Sequence, residues 1–573
     1  MPDGIGFPRI AGPKPSSWLS LLLLAVLAFL VLYPVFMLLF GSFRSGSPLG
    51  ETTWSIEGYA RAFSNKATYT TLGTTLWLGI VRTILSLGMA IFFAWVINRT
   101  DNPGRRWLEP LIWIQIFLPA QAVVIAWIWL AAPQAGYINQ FLGNLFGNSS
   151  LLNIYSYFGI IWVSSIQWAA VLFLFLSPAF RLMDSNLEDS ARMSGAGRLT
   201  VFFRITLPLL APAITGAAIL GLVKIMQSFE TELLLGFGSK IFVYSTRVYD
   251  LVRSLPVDYP QAMALSSVFL LIVFGLVVLQ WRLLVGKQYT TVTGKGFTPR
   301  LWRLGRWKYV TTGLIVLYIG IGTLLPLCIM VLGTFERIMG VSVADPYTTE
   351  HWAWVFSDSR LLSALKNTLI VGILAASLGM LLSSFLSYII VRTKLVLRKT
   401  LDIVAWMPWA TPGLIMALGF LWAFMGGPIK MPFLYGTIWL MILIFIVLGL
   451  PMGIRVMNGS MIQLGNDLED SSRIHGGSWF YTFRRIIAPL VTPAFISSWV
   501  LFFMLAVRDL SAVVMLYSPS SHLLTTLMLD YWMGGDIGSA TVVGLILTVI
   551  LIGFAMGIRL IGSRFALKEQ AYY

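Results

Sequence analysis

A chain of 573 residues that is 57% hydrophobic, only 11% charged and has a mean hydropathy of +0.81 lies outside the balance of a soluble domain. Its formal charge of +16 would suit nucleic acid, but the basic residues sit in short segments between long apolar runs, which points to membrane topology and away from a nucleic-acid partner. One cysteine, Cys328, allows neither an intrachain disulfide nor a thiolate metal cluster, and its place in the apolar run 318–331 predicts a packing role.

About 20 apolar residues are needed for a helix to cross the hydrocarbon core with its backbone satisfied internally. The first run, 18–40, follows Arg9 and Lys14 as a signal peptide would, yet it has the length of a full span and no small-residue cleavage pattern after it. It reads as a retained helix. Further spans follow at 71–96, 111–131, 156–180, 211–229 and 262–283, and a matching set at 310–332, 367–391, 401–424, 435–456, 491–507 and 541–560. The fold expected is an all-α integral membrane protein of about twelve helices in two homologous six-helix halves, 1–283 and 309–573, joined by a basic linker, 284–308.

The positive-inside rule orients these spans. Arg99, Arg105 and Arg106 follow the second span, and Arg392, Lys394, Arg398 and Lys399 follow the eighth. The linker adds Lys287, Lys295, Arg300, Arg303, Arg306 and Lys308 with no acidic residue among them. These segments, and both termini, are expected in the cytoplasm. The segments 41–69 and 333–366, with Trp54, Tyr59, Trp352 and Trp354, are expected outside.

A repeat on the basic side is the clearest motif. One copy runs from Glu188, Asp189 and Ser190 through Gly195 and Gly197 to Phe202, Phe203, Ile205 and Pro208. The other runs from Glu469, Asp470 and Ser471 through Gly476 and Gly477 to Phe483 and Pro489, at a constant offset of 281 residues. Arg99-Thr100 recurs as Arg392-Thr393 at an offset of 293, so the duplication spans most of each half. Acidic residues suit a helix start, glycines a turn, and Pro208 the opening of the next helix, with Phe202, Phe203 and Ile205 as an apolar docking face. A single copy would read equally well as an ordinary interhelical turn; two copies in register weaken that reading.

This pattern resembles the EAA loop of MetI-like permeases in binding-protein-dependent ABC importers, with Glu-Asp-Ser-Ala and Glu-Asp-Ser-Ser at its start and Ala488 before the second proline. The resemblance implies that Glu188, Gly195, Pro208, Glu469, Gly476 and Pro489 belong to loops that seat in two copies of a cytoplasmic ATPase subunit. It also implies a periplasmic or lipid-anchored solute-binding protein, a bacterial inner-membrane location, and alternating access. ATP and magnesium would then belong to the ATPase, with no cofactor or metal on this chain. Consistent with that, neither Gly286-Lys287 nor Gly294-Lys295 lies in a phosphate-binding loop, and His351, His475 and His522 lack metal-ligand spacing. No catalytic residue is assigned; His475 reads as a solvated loop residue.

Charged residues at span ends are candidates for the translocation pathway. Glu230 and Glu232 follow the fifth span, Arg508 and Asp509 the eleventh, and Glu230 and Ser511 share the 281 offset. The alternative is that Arg508 and Asp509 pair structurally while Glu230 and Glu232 face external water. The segment Arg508-Asp-Leu-Ser-Ala resembles the Arg-Glu-Leu-Pro-Ala segment of fused ferric-iron importer permeases, which leans the substrate toward iron, with thiamine, phosphonate or polyamine as alternatives. An ion-coupled secondary transporter would need mid-membrane ionisable groups, of which Lys224 is the notable one, and would leave the repeated loop unexplained. A lipid-modifying enzyme would need an acid–base or metal constellation that the sequence does not offer.

Overall fold

The computed structural model describes residues 17–284 and 301–570, apart from 49, 148–149, 185, 342–344, 394, 396 and 466. Most of the expected linker, with Lys287, Lys295 and Arg300, therefore lies outside the described residues, as do Arg9, Lys14 and Lys394. Among the described residues, ten helices are long and apolar enough to cross a membrane, and up to twelve if each of two bent pairs is one span. The only sheet among them is a two-strand ribbon, Arg44–Ser45 against Thr53–Trp54.

The first half contains α1 (Leu21–Gly41), α2 (Lys66–Arg99), α3 (Arg105–Phe117), α4 (Ala120–Ala131), α5 (Tyr157–Leu182), α6 (Asn186–Met193) and α7 (Leu199–Met226). It ends with α8 (Glu230–Gly236), α9 (Tyr244–Arg253) and α10 (Tyr259–Leu284). The second half repeats the plan with α11 (Trp307–Gly333), α12 (Ser359–Arg392), α13 (Arg398–Ala410), α14 (Gly413–Gly426), α15 (Ile438–Gln463), α16 (Asp467–Ile474) and α17 (Trp479–Arg508). It closes with α18 (Leu524–Met533) and α19 (Ile537–Gln570).

The runs 111–131 and 401–424, expected as straight spans, are instead sharply bent. The turn between α3 and α4 is 97° and that between α13 and α14 is 107°. Pro119 and Pro412 sit at the breaks, where a residue without an N–H cannot continue the helical ladder. Hydropathy averages over a window and does not register such a break.

The inner arms of the bent pairs form the centre of the molecule. Every residue of 121–131 and 414–424 is buried. Each arm packs on the opposite half: α4 against α11 and α19, α14 against α1 and α10. The first helix of each half thus lies on the other half. Both first helices widen into a π turn just before a proline, Ala28–Leu32 before Pro34 and Gly320–Leu324 before Pro326, which absorbs the missing donor.

Polar contacts fix these crossings. Gln115 of α3 donates to the Gly322 carbonyl in the π turn at 2.9 Å, and the Tyr318 hydroxyl lies 2.6 Å from Gln115 Oε1 and 2.7 Å from the Ile166 carbonyl. Tyr33 mirrors this from α1, donating to the Ala423 carbonyl at 2.8 Å and accepting from the Ile429 N–H at 3.2 Å. Within the second half, α17 approaches α12 and α15 closely because Gly379 and Gly449 leave room for the Phe502 ring; a methyl at either position would overlap it. Cys328, expected to pack inside, is exposed on α11, away from the core.

Replacing Gln115 with Leu removes the donor to the Gly322 carbonyl and one of the two partners of the Tyr318 hydroxyl, which keeps the Ile166 carbonyl, a loss of about 1–3 kcal/mol. Thermal unfolding of the detergent-solubilised chain is expected to shift to lower temperature for Gln115→Leu, and an unchanged midpoint would show that this contact does not hold the halves together.

Candidate functional site

The duplicated loops emerge where α5 and α15 end. In the first copy α6 is a short helix whose Glu188 is fully buried. Its carboxylate pairs with Arg99, the last residue of α2, and accepts from Thr206 Oγ1 at 2.5 Å and from the Trp302 indole N–H at 3.1 Å. Arg99 also donates to the Met183 carbonyl at 2.9 Å, closing the connection from α5 to α6. A buried carboxylate held by a guanidinium and two further donors is stable only in this satisfied state. The two repeat offsets read from sequence, 281 and 293, thus converge on a single contact.

The second copy repeats the pairing more loosely. Glu469 lies 3.5 Å from Arg392 Nε and 3.6 Å from Arg473 Nη2, while Arg392 Nη2 donates to the Met461 and Leu464 carbonyls at 2.7 and 2.8 Å. The hydroxyl of Thr206 has no counterpart, since Ile487 occupies the equivalent position. Glu188 and Glu469 are therefore anchors facing inward, not exposed groups.

Gly195 and Gly476 end these helices with φ of +86° and +78°. In both copies the same two backbone bonds close the turn: Gly195 N–H to the Arg192 carbonyl and Ala196 N–H to Ala191, and Gly476 to Arg473 and Gly477 to Ser472. This is the glycine-terminated helix cap, which a side chain in the left-handed region would strain. Gly197 and Gly477 are not equivalent: Gly197 accepts from the Val201 N–H at the start of the next helix, a place taken in the second copy by Ser478, whose side chain caps Tyr481. Pro208 and Pro489, expected to open the following helix, lie inside continuous helices. The π turns Phe202–Thr206 and Phe483–Ile487 precede them and accommodate the missing N–H.

Outward, the two copies present the same face. Leu187, Met193 and Leu199 in the first, and Leu468, Ile474 and Phe480 in the second, are exposed apolar residues at an offset of 281. Asp189 keeps a 3.8 Å contact with Arg192, while Ser190, Asp470 and Ser471 rim the apolar positions. Of the expected docking face, Phe203 is exposed, whereas Phe202 packs inward on Trp95 at 5.4 Å.

Three of the four pathway candidates meet between the halves. Arg508, at the end of α17, donates to the Ile116 carbonyl at the end of α3. The mirror contact comes from Lys224 and Gln227 of the first half, which donate to the carbonyl of Trp409 at the end of α13 at 3.1 and 3.4 Å. Each bent span thus has the carbonyl end of its outer arm met by donors from the opposite half, where a cation is favoured by the helix dipole. Lys224 also stacks 4.3 Å over the Trp409 ring. Glu230 accepts from the Leu510 N–H at 3.3 Å, and Asp509 caps its own turn through Ser511 and Ala512 at 2.8 and 3.0 Å.

Glu232 belongs elsewhere. It is fully buried and paired with Arg82, a residue in the middle of α2 that sequence reading passed over although a lone arginine in an apolar span requires a partner. Arg82 is further held by the Leu78 carbonyl at 3.0 Å and Ser164 Oγ at 3.2 Å. Glu232→Gln is expected to destabilise the chain by about 3–5 kcal/mol because it strands a buried guanidinium, with the double change Arg82→Leu and Glu232→Leu less harmful than either alone. Unfolding midpoints of Glu232→Gln, the two leucine variants and their combination in detergent check this; additive losses in the double variant would rule out a coupled pair.

The family model for binding-protein-dependent transport system inner membrane components matches this chain twice, at residues 86–291 and 369–565. The chain is similar to the ferric transport system permease protein FbpB of Actinobacillus pleuropneumoniae, 25% identical across 94% of this chain and 77% of that protein. It is also similar to an ABC transporter permease of Sinorhizobium fredii, y4fN, 25% identical across 96% of both chains, and to the Fe(3+)-transport system permease protein FbpB 2 of Haemophilus influenzae, 23% identical across 83% of this chain and 87% of that one. Among solved structures, a bacterial ABC transporter importing alginate aligns over 45% of this chain and 96% of its own at 15% identity and a TM-score of 0.39. With two copies of its model covering more than half of the sequence, the chain belongs to the family of binding-protein-dependent transport system inner membrane components and is the fused, multi-pass permease of an ABC importer.

Proposed function

We propose that this permease carries ferric iron from a solute-binding protein into the cytoplasm, driven by two copies of a separate ATPase that seat on the loops around Glu188 and Glu469. The observation that carries this reading is the repeated contact of Arg99 with Glu188 and Arg392 with Glu469, which fixes two short helices at the ends of α2 and α12 and leaves three equivalent apolar residues of each loop exposed. Exposed apolar residues at matched positions on polar helices are the mark of a protein interface. ATP and magnesium belong to the ATPase in this scheme; residues 284–308 form the linker on the same cytoplasmic side, with both termini.

The mechanism follows from the anchors. Because each short helix is tied to the end of α2 or α12 and runs through its π turn into α7 or α17, closure of the ATPase pair moves these helices with the loops. Those spans end at Lys224, Gln227 and Arg508, the groups that hold the bent spans across the half interface. Movement of the loops therefore changes the contacts at the centre, alternately opening the interface outward and inward. The names of the relatives support iron as the cargo.

Two experiments check the reading. Met193→Asp together with Ile474→Asp places charge on the proposed docking face without touching the anchors, so co-purification of the ATPase is expected to fall about tenfold or more while the chain still inserts in the membrane; full retention of the ATPase would refute docking at these loops. In proteoliposomes holding the chain, its ATPase and its binding protein, ferric iron is expected to stimulate ATP hydrolysis and to be taken up, whereas stimulation by thiamine, phosphonate or polyamine with none by iron would reassign the cargo.

A further inference from the structure

Among the differences between the two loops, one is that the first borrows an aromatic side chain. In the second half Trp479, the first residue of α17, donates its indole N–H to the Tyr388 hydroxyl at 2.8 Å and stacks on Phe483 at 5.6 Å. Tyr388 and Phe483 correspond to Trp95 and Phe202 of the first half, at the offsets 293 and 281. The residue corresponding to Trp479 is Arg198, so the first half has no indole of its own there.

Trp302 packs at this place from the far side of the linker, with a different partner for its N–H. Its ring meets Trp95 edge-on at 5.8 Å, and its N–H reaches Glu188 Oε2. The backbone is fixed as well. The Trp302 N–H donates to the Arg99 carbonyl at 2.8 Å, the Asp101 N–H donates to the Trp302 carbonyl at 3.0 Å, and the Leu304 N–H donates to Asp101 Oδ1 at 2.8 Å. Arg192 of α6 lies over the same ring at 5.7 Å. Five residues later the chain enters α11, the helix that crosses onto the first half.

We propose that Trp302 is a positioning residue for the first ATPase-docking helix, acting through Glu188, and that it couples that helix directly to the second half. In the second half the corresponding indole, Trp479, belongs to α17 itself and donates to Tyr388 and not to Glu469. The two ATPase copies thus act on unequal levers, the first moving α11 as well as α7. This inference rests on the proposed docking of an ATPase at the two loops.

The test uses the full chain with its ATPase and binding protein in proteoliposomes, reading iron taken up per ATP hydrolysed. Loss of folded complex lowers both rates together and leaves this ratio unmoved; loss of positioning lowers the ratio. For Trp302→Ala the ratio is expected to fall about tenfold, the scale of one hydrogen bond to a charged group, and for Trp302→Phe, which keeps the ring and loses the N–H, by a smaller factor. A wild-type ratio in Trp302→Ala overturns the proposal, and where that variant does not insert, a wild-type ratio in Trp302→Phe overturns it. Absence of ATPase binding to the unmutated chain would instead refute the underlying docking reading.

Discussion

The buried pairing of a carboxylate on a short helix with the last arginine of a long span is the constraint on which the arrangement depends. An unpaired charge at the position of Glu188 or Glu469 would be costly to bury, so each short helix is held at the end of its span or not at all. From that fixed point the chain turns through a glycine cap, passes a π turn and enters the span that ends at the half interface. The same feature leaves Leu187 and Met193 of the first short helix, and Leu468 and Ile474 of the second, exposed among the described residues.

The second organising feature is the exchange between halves. Each bent span buries its inner arm against helices of the opposite half, and the end of its outer arm receives donors from there, Arg508 on one side and Lys224 with Gln227 on the other. The halves are therefore not two bundles side by side. In the proposed mechanism a displacement of one loop is felt across the interface, because the contacts that define the centre are cross-half contacts. The pseudo-symmetry is imperfect at several places, among them Arg82 with Glu232, Thr206 and Trp302.

Much of this was legible in the sequence. Span number, the duplication and the loop residues follow from hydropathy and from two offsets, because both are set by residue type and spacing alone. The bends at Pro119 and Pro412 were hidden because the arms on either side are equally apolar. Pro208 and Pro489 read as helix starts because a π turn, which lets a proline sit inside a helix, has no composition signal. The inward direction of Glu188 was also unreadable, although Arg99 and Glu188 each stood out in the repeat; nothing local reveals that two offsets share one contact. Trp302 lay in a segment taken as linker, and its partner is 114 residues away in the chain.

The central claim is that both loops engage the ATPase, and the lone native cysteine makes a direct test simple. In a Cys328→Ala background, Met193→Cys and Ile474→Cys are introduced separately and cross-linked in membranes to an ATPase bearing one engineered cysteine in its docking groove. The account predicts a cross-link from each position to an ATPase subunit, with efficiency that changes when ATP is bound; no cross-link from either position, in a complex that still transports, would contradict it.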